Sequence, residues 1–257
     1  MYKIKNFFNN DDITIVRELG PFCVIEYQRD LSVMPEEAAL AYYCNKMNVR
    51  KRQVICDLSR VNGVTIQAGA MQWMVGNVNA TTGIKGVGDL FSKAVRGSVT
   101  GESAIKPEYT GDGALALEPT YKHIILIDLA EWNGSIVLDD GLFLACDSSM
   151  KHRAIMRSNV SSAVAGKEGL FNLGIQGQGI LCLECPCPQE ELVEIELQDD
   201  VVKIDGNMAV AWSGSLQFTV ERSGKTLLGS AASGEGLVNV YRGTGKVLMA
   251  PVLKVGR

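Results

Sequence analysis

Short apolar runs, broken at close intervals by glycine, aspartate and asparagine, make up most of this chain. Ile13-Thr14-Ile15-Val16 and Phe22-Cys23-Val24-Ile25-Glu26-Tyr27 predict two early strands. A helix is expected next. Pro35 suits its first position, Glu36 and Glu37 the positive end of its dipole, and Lys46 the negative end. Its body, Ala38-Ala39-Leu40-Ala41-Tyr42-Tyr43-Cys44, is apolar nearly all round, which predicts burial against a neighbouring element. From residue 53 the texture becomes β. Val54-Ile55-Cys56, Val64-Thr65-Ile66, His123-Ile124-Ile125-Leu126-Ile127, Ile136-Val137-Leu138, Leu216-Gln217-Phe218-Thr219-Val220 and Leu237-Val238-Asn239-Val240-Tyr241 are short and rich in β-branched residues. Val193-Glu194-Ile195-Glu196-Leu197 alternates cleanly, as a strand with one wet face does. Many short strands with glycine punctuation argue for sandwich or closed-barrel layers.

The pattern repeats. Gly111-Asp112-Gly113 opens GDGALALEP, Gly177-Gln178-Gly179 opens GQGILCLECP, and Gly243-Thr244-Gly245 opens GTGKVLMAP, so the spacing is 177 − 111 = 66 and 243 − 177 = 66. The apolar runs end at Pro119, Pro186 and Pro251, and acidic turns precede them at Gly101-Glu102, Lys167-Glu168 and Gly234-Glu235. Each G-x-G is expected to mark a bulge or corner where a side chain would collide. Fixed-period similarity of this kind defines an architecture. It predicts β-modules over residues 50–119, 120–186 and 187–257, with 1–49 supplying strands and a helix packed on the body. Modules this small bury too little surface alone, so they are expected to share a core.

The first copy is the most eroded. Asn62-Gly63-Val64-Thr65-Ile66 is matched to Asp140-Gly141-Leu142-Phe143-Leu144. The offset there is 142 − 64 = 78, against 66 elsewhere, which implies an insertion of length 78 − 66 = 12. Val87, Leu90, Phe91, Ala94 and Val95 fall at helical spacing and predict a short inserted helix there.

Composition narrows the class. With 46% hydrophobic and 21% charged residues the chain is a soluble globular one with a substantial core. No apolar run reaches the ~20 residues of a membrane helix, and the N-terminus lacks a secretory signal's apolar middle. Seven scattered cysteines do not form a disulfide framework, so a reduced, cytoplasmic setting is expected. A net charge of −4 disfavours a nucleic-acid binder held by phosphate contacts.

Candidate chemistry is sparse. The G-x-G elements precede strand-like runs, whereas a dinucleotide site needs a helix there, so structural glycine is the preferred reading. Gly224-Lys225-Thr226 and Gly243-Thr244-Gly245-Lys246 lack the earlier glycine of a phosphate loop. With two histidines, His123 and His152, a three-histidine metal site is impossible within one chain. Cys182, Cys185 and Cys187 form the one dense cysteine cluster, short of a closed zinc quartet, and Cys182 and Cys187 should face opposite ways on a strand. Small buried hydrophobes are the preferred reading for them. Glu190, Glu191, Glu194, Glu196, Asp199 and Asp200 read as a solvated strand face, and Arg50-Lys51-Arg52 as a helix-end or interface group. No G-x-S-x-G elbow and no cysteine–histidine pairing emerges. No catalytic, cofactor or metal residue is therefore expected.

The stretches TGESAIKPEYTGDGALALEP, AGKEGLFNLGIQGQGILCLECP and SGEGLVNVYRGTGKVLMAP resemble the repeated signature of the altered inheritance of mitochondria protein 24 family, over about residues 50 to 255. Bacterial members of that family have been carried as proteins of unknown function. The resemblance implies a mainly β fold of repeated β-sandwich, double-stranded β-helix-like modules, similar to the tryptophan RNA-binding attenuation protein. It implies no catalytic residues. The expected function is that of a non-catalytic structural or interaction protein, a self-assembling β-scaffold. The alternatives are RNA or small-ligand binding by fold analogy, or an enzyme with an unrecognised site. Apolar helix faces and open strand ends predict a homo-oligomer, a trimer slightly preferred.

Overall fold

The computed structural model describes residues 2–82, 106–156, 171–206, 208–222 and 237–252. The chain is mainly β, with one α-helix among the described residues. A hairpin of β1 (Ile13–Leu19) and β2 (Phe22–Tyr27) leads to α1 (Ala38–Lys46) and then to β3 (Arg52–Asp57), β4 (Val64–Ile66), β5 (Met71–Thr81) and β6 (Glu108–Leu117). The middle of the chain forms β7 (His123–Asp128), β8 (Ser135–Leu138), β9 (Phe143–Asp147), β10 (Lys151–Met156), β11 (Phe171–Gln176) and β12 (Ile180–Cys185). The last third supplies β13 (Val193–Asp205), β14 (Ala209–Ser213), β15 (Gln217–Arg222) and β16 (Leu237–Met249).

One pairing scheme recurs three times. In the middle of the chain β12 lies between β7 and β9, and β11 between β8 and β10. In the last third β16 does both jobs. Its C-terminal half pairs with the start of β13 and with β14, and its N-terminal half with the end of β13 and with β15. In the first third β6 does the same, against β3 and the start of β5, then against β4 and the end of β5. The strands join into a nine-stranded and a seven-stranded sheet.

The G-x-G elements sit where each strand pair changes partner. Gly111 has φ +118°, and a Cβ there would stand 2.1 Å from the Asn77 carbonyl oxygen. Gly179 has φ +125°, and its Cβ would stand 1.9 Å from Asp147 Oδ2. No L side chain fits either place, which is the physical reason for glycine there.

The core runs across the thirds of the chain. Leu115 and Leu117 pack with Ala145 and Cys182 in one cluster, and Leu138 and Ile175 pack with Val210 and Ala211 in another. A third gathers Val137, Trp212, Tyr241 and Val247. At the N-terminal end Glu26 is buried between Arg50, at 2.7 Å, and Arg52, at 2.8 Å. Gln53 accepts from the Tyr27 hydroxyl and donates to Gln72 and to the Leu117 carbonyl, tying β2, β3 and β6 together.

Two expectations change. The helix begins at Ala38, later than Pro35, and none of its residues is buried. It is anchored at its C-terminal end, where Asn45 donates to the Gln28 carbonyl and Asn48 accepts from Arg52. Among the described residues, contacts of the helix's C-terminal end hold it, and no residue of α1 is buried against the sheets. Second, β4 corresponds to β8 and not to the strand after Asp140-Gly141. Thr65 pairs with Cys146 as Val137 pairs with Trp212, an offset of 137 − 65 = 72. The first copy is therefore longer by 72 − 66 = 6, not by 12. The middle copy carries two Asx-Gly turns before apolar runs, Asn133-Gly134 and Asp140-Gly141, and local pattern alone does not say which one Asn62-Gly63 matches. The inserted helix expected near residues 86–96 and the three acidic turns lie outside the described residues.

Candidate functional site

Cys182, Cys185 and Cys187 are all buried, but in two different cores. Cys182 faces the cluster of Leu115 and Leu126, where burial pushes its thiol well up. Cys185 and Cys187 face the cluster of Leu183 and Ile125, with their sulfurs 4.0 Å apart. The odd spacing from 182 to 185 puts those two on opposite faces of β12, and Cys187 lies in the bend beyond the strand. His123 lies directly across from Cys185 in the β7–β12 pair. Among the described residues, no three His, Cys, Asp or Glu side chains converge in a way that could hold a metal ion.

A cysteine–histidine contact that sequence reasoning missed lies elsewhere. His152 Nε2 stands 3.4 Å from Cys146 Sγ, and its ring packs edge-to-face on Phe143 at 5.2 Å. Burial, helped by Lys106, pushes the His152 imidazole down to about 4. Burial beside Asp147 pushes the Cys146 thiol up. The proton therefore stays on sulfur and the imidazole stays neutral, the reverse of an activated thiolate–imidazolium pair. Lys106 directs its ammonium to the Phe143 ring, 4.1 Å from the centroid, and to Gln67 Oε1 at 2.9 Å.

Asp147 is a second buried group the sequence did not single out. Its Oδ2 accepts the Ile180 N–H at 2.6 Å, while Oδ1 is buried without a hydrogen-bond partner. Burial raises its carboxyl above the usual range. Ser213 fills the equivalent place one repeat further on (213 − 147 = 66) and accepts the Lys246 N–H at 2.9 Å. The same clasp thus holds the strand just after two of the G-x-G corners. The signal was present in the spacing, but a change from Asp to Ser hides it.

The charged stretches serve the fold or meet water. Glu190, Glu191, Glu194, Glu196, Asp199 and Asp200 are exposed on or before β13, and Glu194 meets Lys246 at 3.5 Å. Arg50 and Arg52 hold Glu26, and Lys51 meets Asp30 at 2.7 Å.

Clefts open among the described residues, and two of these clefts are lined by apolar side chains. One of about 150 Å³ lies between the outer edges of β1 and β7, lined by Arg17, Leu19, Ile125, Ile127 and Trp132. Arg17 is held there by Gln189 at 2.6 Å, and Lys246 lies over the Trp132 ring at 4.7 Å. The other, about 350 Å³, is lined by Val137, Ile155, Trp212, Leu216 and Phe218, with exposed Arg153 at its rim. No helix among the described residues is long and apolar enough to cross a membrane.

Fold and site together define a mainly β protein. The sequence profile of the mitochondrial biogenesis AIM24 family matches residues 46–252, and the chain belongs to that family. An uncharacterised protein of Streptococcus pyogenes serotype M6 is 32% identical over 199 residues, covering 74% of this chain and 77% of the relative. The crystal structure of a Streptococcus pyogenes protein, solved in a structural genomics programme, is also similar. It has a TM-score of 0.58 and 29% identity, covering 80% of this chain and 90% of the other.

Proposed function

We propose that the protein is a non-catalytic structural or interaction protein, a β-scaffold of three repeated sandwich modules that assembles with itself. The observation that carries this reading is apolar surface left exposed among the described residues. Leu40 and Tyr43 on α1 are each 67% exposed, and Met47 just beyond is 76% exposed. Leu31 and Met34, ahead of the helix, are exposed as well. Clustered exposed apolar side chains of this kind mark a contact surface. The double-stranded β-helix-like module implied by the family resemblance fits the recurring strand scheme. A closed ring of copies is the preferred assembly, with three copies favoured because that number continues the modular order.

Light scattering at micromolar concentration tests the reading. The expected mass is a multiple of 27.8 kDa, and a mass equal to that single-chain value at every concentration contradicts it. A second reading, small-ligand binding, has the cleft of Trp212, Phe218 and Arg153 in its favour. Its rim cation over an apolar floor suits an amphipathic carboxylate. Saturable quenching of tryptophan fluorescence by such a carboxylate, abolished in Arg153→Ala, supports it; no quenching contradicts it.

A further inference from the structure

Among the described residues, the link between successive modules is made twice. β4 pairs with β9 through Val64↔Asp147, Thr65↔Cys146 and Ile66↔Ala145. β8 pairs with β14 through Ile136↔Ser213, Val137↔Trp212 and Leu138↔Ala211. In both cases the second strand of one module lies antiparallel on the third strand of the next. That rule leaves one strand of each kind over. The second-strand role in the last module belongs to the end of β13, which among the described residues pairs only with β16. The third-strand role in the first module belongs to the start of β5, which among the described residues pairs only with β6.

We propose that the end of β13 in one copy pairs antiparallel with the start of β5 in a second copy, continuing the sheet from chain to chain. The proposal rests on the self-association reading and adds to the α1 face a second, sheet-edge contact. Its register follows from the internal links. Ile204 pairs with Asn239 as Leu138 pairs with Leu173, and Met74 pairs with Leu115 as Cys146 pairs with Leu181. Carrying both across sets Val202 opposite Val75, Lys203 opposite Met74 and Ile204 opposite Trp73.

The chemistry of the two edges agrees. β5 reads MQWMVGNVNAT, without a charge or a proline, and Met71 and Met74 are 37% and 45% exposed. Soluble proteins ordinarily break such an edge with lysine, proline or a covering segment. β13 carries Glu194, Glu196, Asp199, Asp200 and Asp205 against Lys203, so two β13 edges repel one another. A neutral β5 edge accepts β13 without placing like charges opposite. Trp73 packs edge-to-face on Phe7 of its own chain at 5.7 Å. A head-to-tail contact of this type closes into a ring or grows into a filament.

A charge swap tests the register. Met74→Lys, Lys203→Glu and the double variant are made in the full chain and compared with wild type by sedimentation at equal micromolar concentration. Both side chains are exposed in the single chain, and circular dichroism checks that each variant folds. Met74→Lys places two ammonium groups directly opposite, and its association is expected to weaken by up to about fivefold. The double variant restores wild-type association. Unchanged association of Met74→Lys overturns the proposal. So does a double variant that stays as dissociated as Met74→Lys, which would place β5 against another partner such as a second β5. Either result leaves an oligomeric wild type, and hence the self-association reading, standing. A wild type that is monomeric throughout removes both.

Discussion

Gly179 and Gly141 both have positive φ, yet their surroundings differ. A Cβ at Gly179 would collide with the Asp147 carboxylate, whereas nothing lies within 4 Å of one at Gly141. Gly141→Ala is therefore expected to cost about 1–2 kcal/mol of stability, the backbone term alone. Gly179→Ala adds the displaced Asp147–Ile180 hydrogen bond, a further ~1–3 kcal/mol, so its urea midpoint should fall clearly below that of Gly141→Ala. Equal midpoints would show that the corner tolerates a side chain. His152 sets a pH dependence. Above its unfolded value of 6.5 the imidazole is neutral in both states and its full contribution is present. As pH falls toward the folded value of about 4, only the unfolded chain takes up a proton, and stability drops by up to ~3 kcal/mol before levelling off. His152→Gln should remove that part of the slope between pH 6.5 and 4 in urea titrations, and an unaltered slope would refute the assignment. The glycines were legible because three equal spacings expose them. The Cys146–His152 contact was not, because it depends on the turn between β9 and β10 folding one strand over its neighbour.

At the scale of the element, the strands were readable from alternation and β-branching, but their correspondence between copies was not. Val64-Thr65-Ile66 reads equally well as a match to β8 or β9, and only the pairing of Thr65 with Cys146 decides. The helix was readable as a helix, and its apolar composition suggested burial. Its exposure among the described residues depends on which distant segments reach it, a long-range fact that composition does not carry. Leu40→Ser with Tyr43→Ser should hence leave the single chain's thermal stability within about 0.5 kcal/mol while reducing association. A large loss of stability with unchanged mass would mean that the helix face is covered from within. The ion cluster behind the helix is of the opposite kind. Removing the carboxylate as Glu26→Ala leaves Arg52 buried with Arg50 beside it, and a loss of about 3–5 kcal/mol is expected in urea unfolding. A loss below ~1 kcal/mol would show that the two arginines find water or other acceptors.

Over the whole molecule, one fixed period written in three G-x-G corners becomes a strand scheme used three times and a link used twice. An array of this kind has two ends, and soluble arrays cover or continue them. The end at β13 is acidic and the end at β5 is neutral, so the two suit each other better than the first suits itself. Hydrogen exchange followed residue by residue over a range of protein concentrations tests assembly through these ends most directly. The account predicts that protection of the outward-facing backbone amides over Trp73–Val75 and Val202–Ile204 rises together as concentration rises, while core amides such as Leu181 and Val247 stay unchanged. Fast exchange on both edges at every concentration would contradict it.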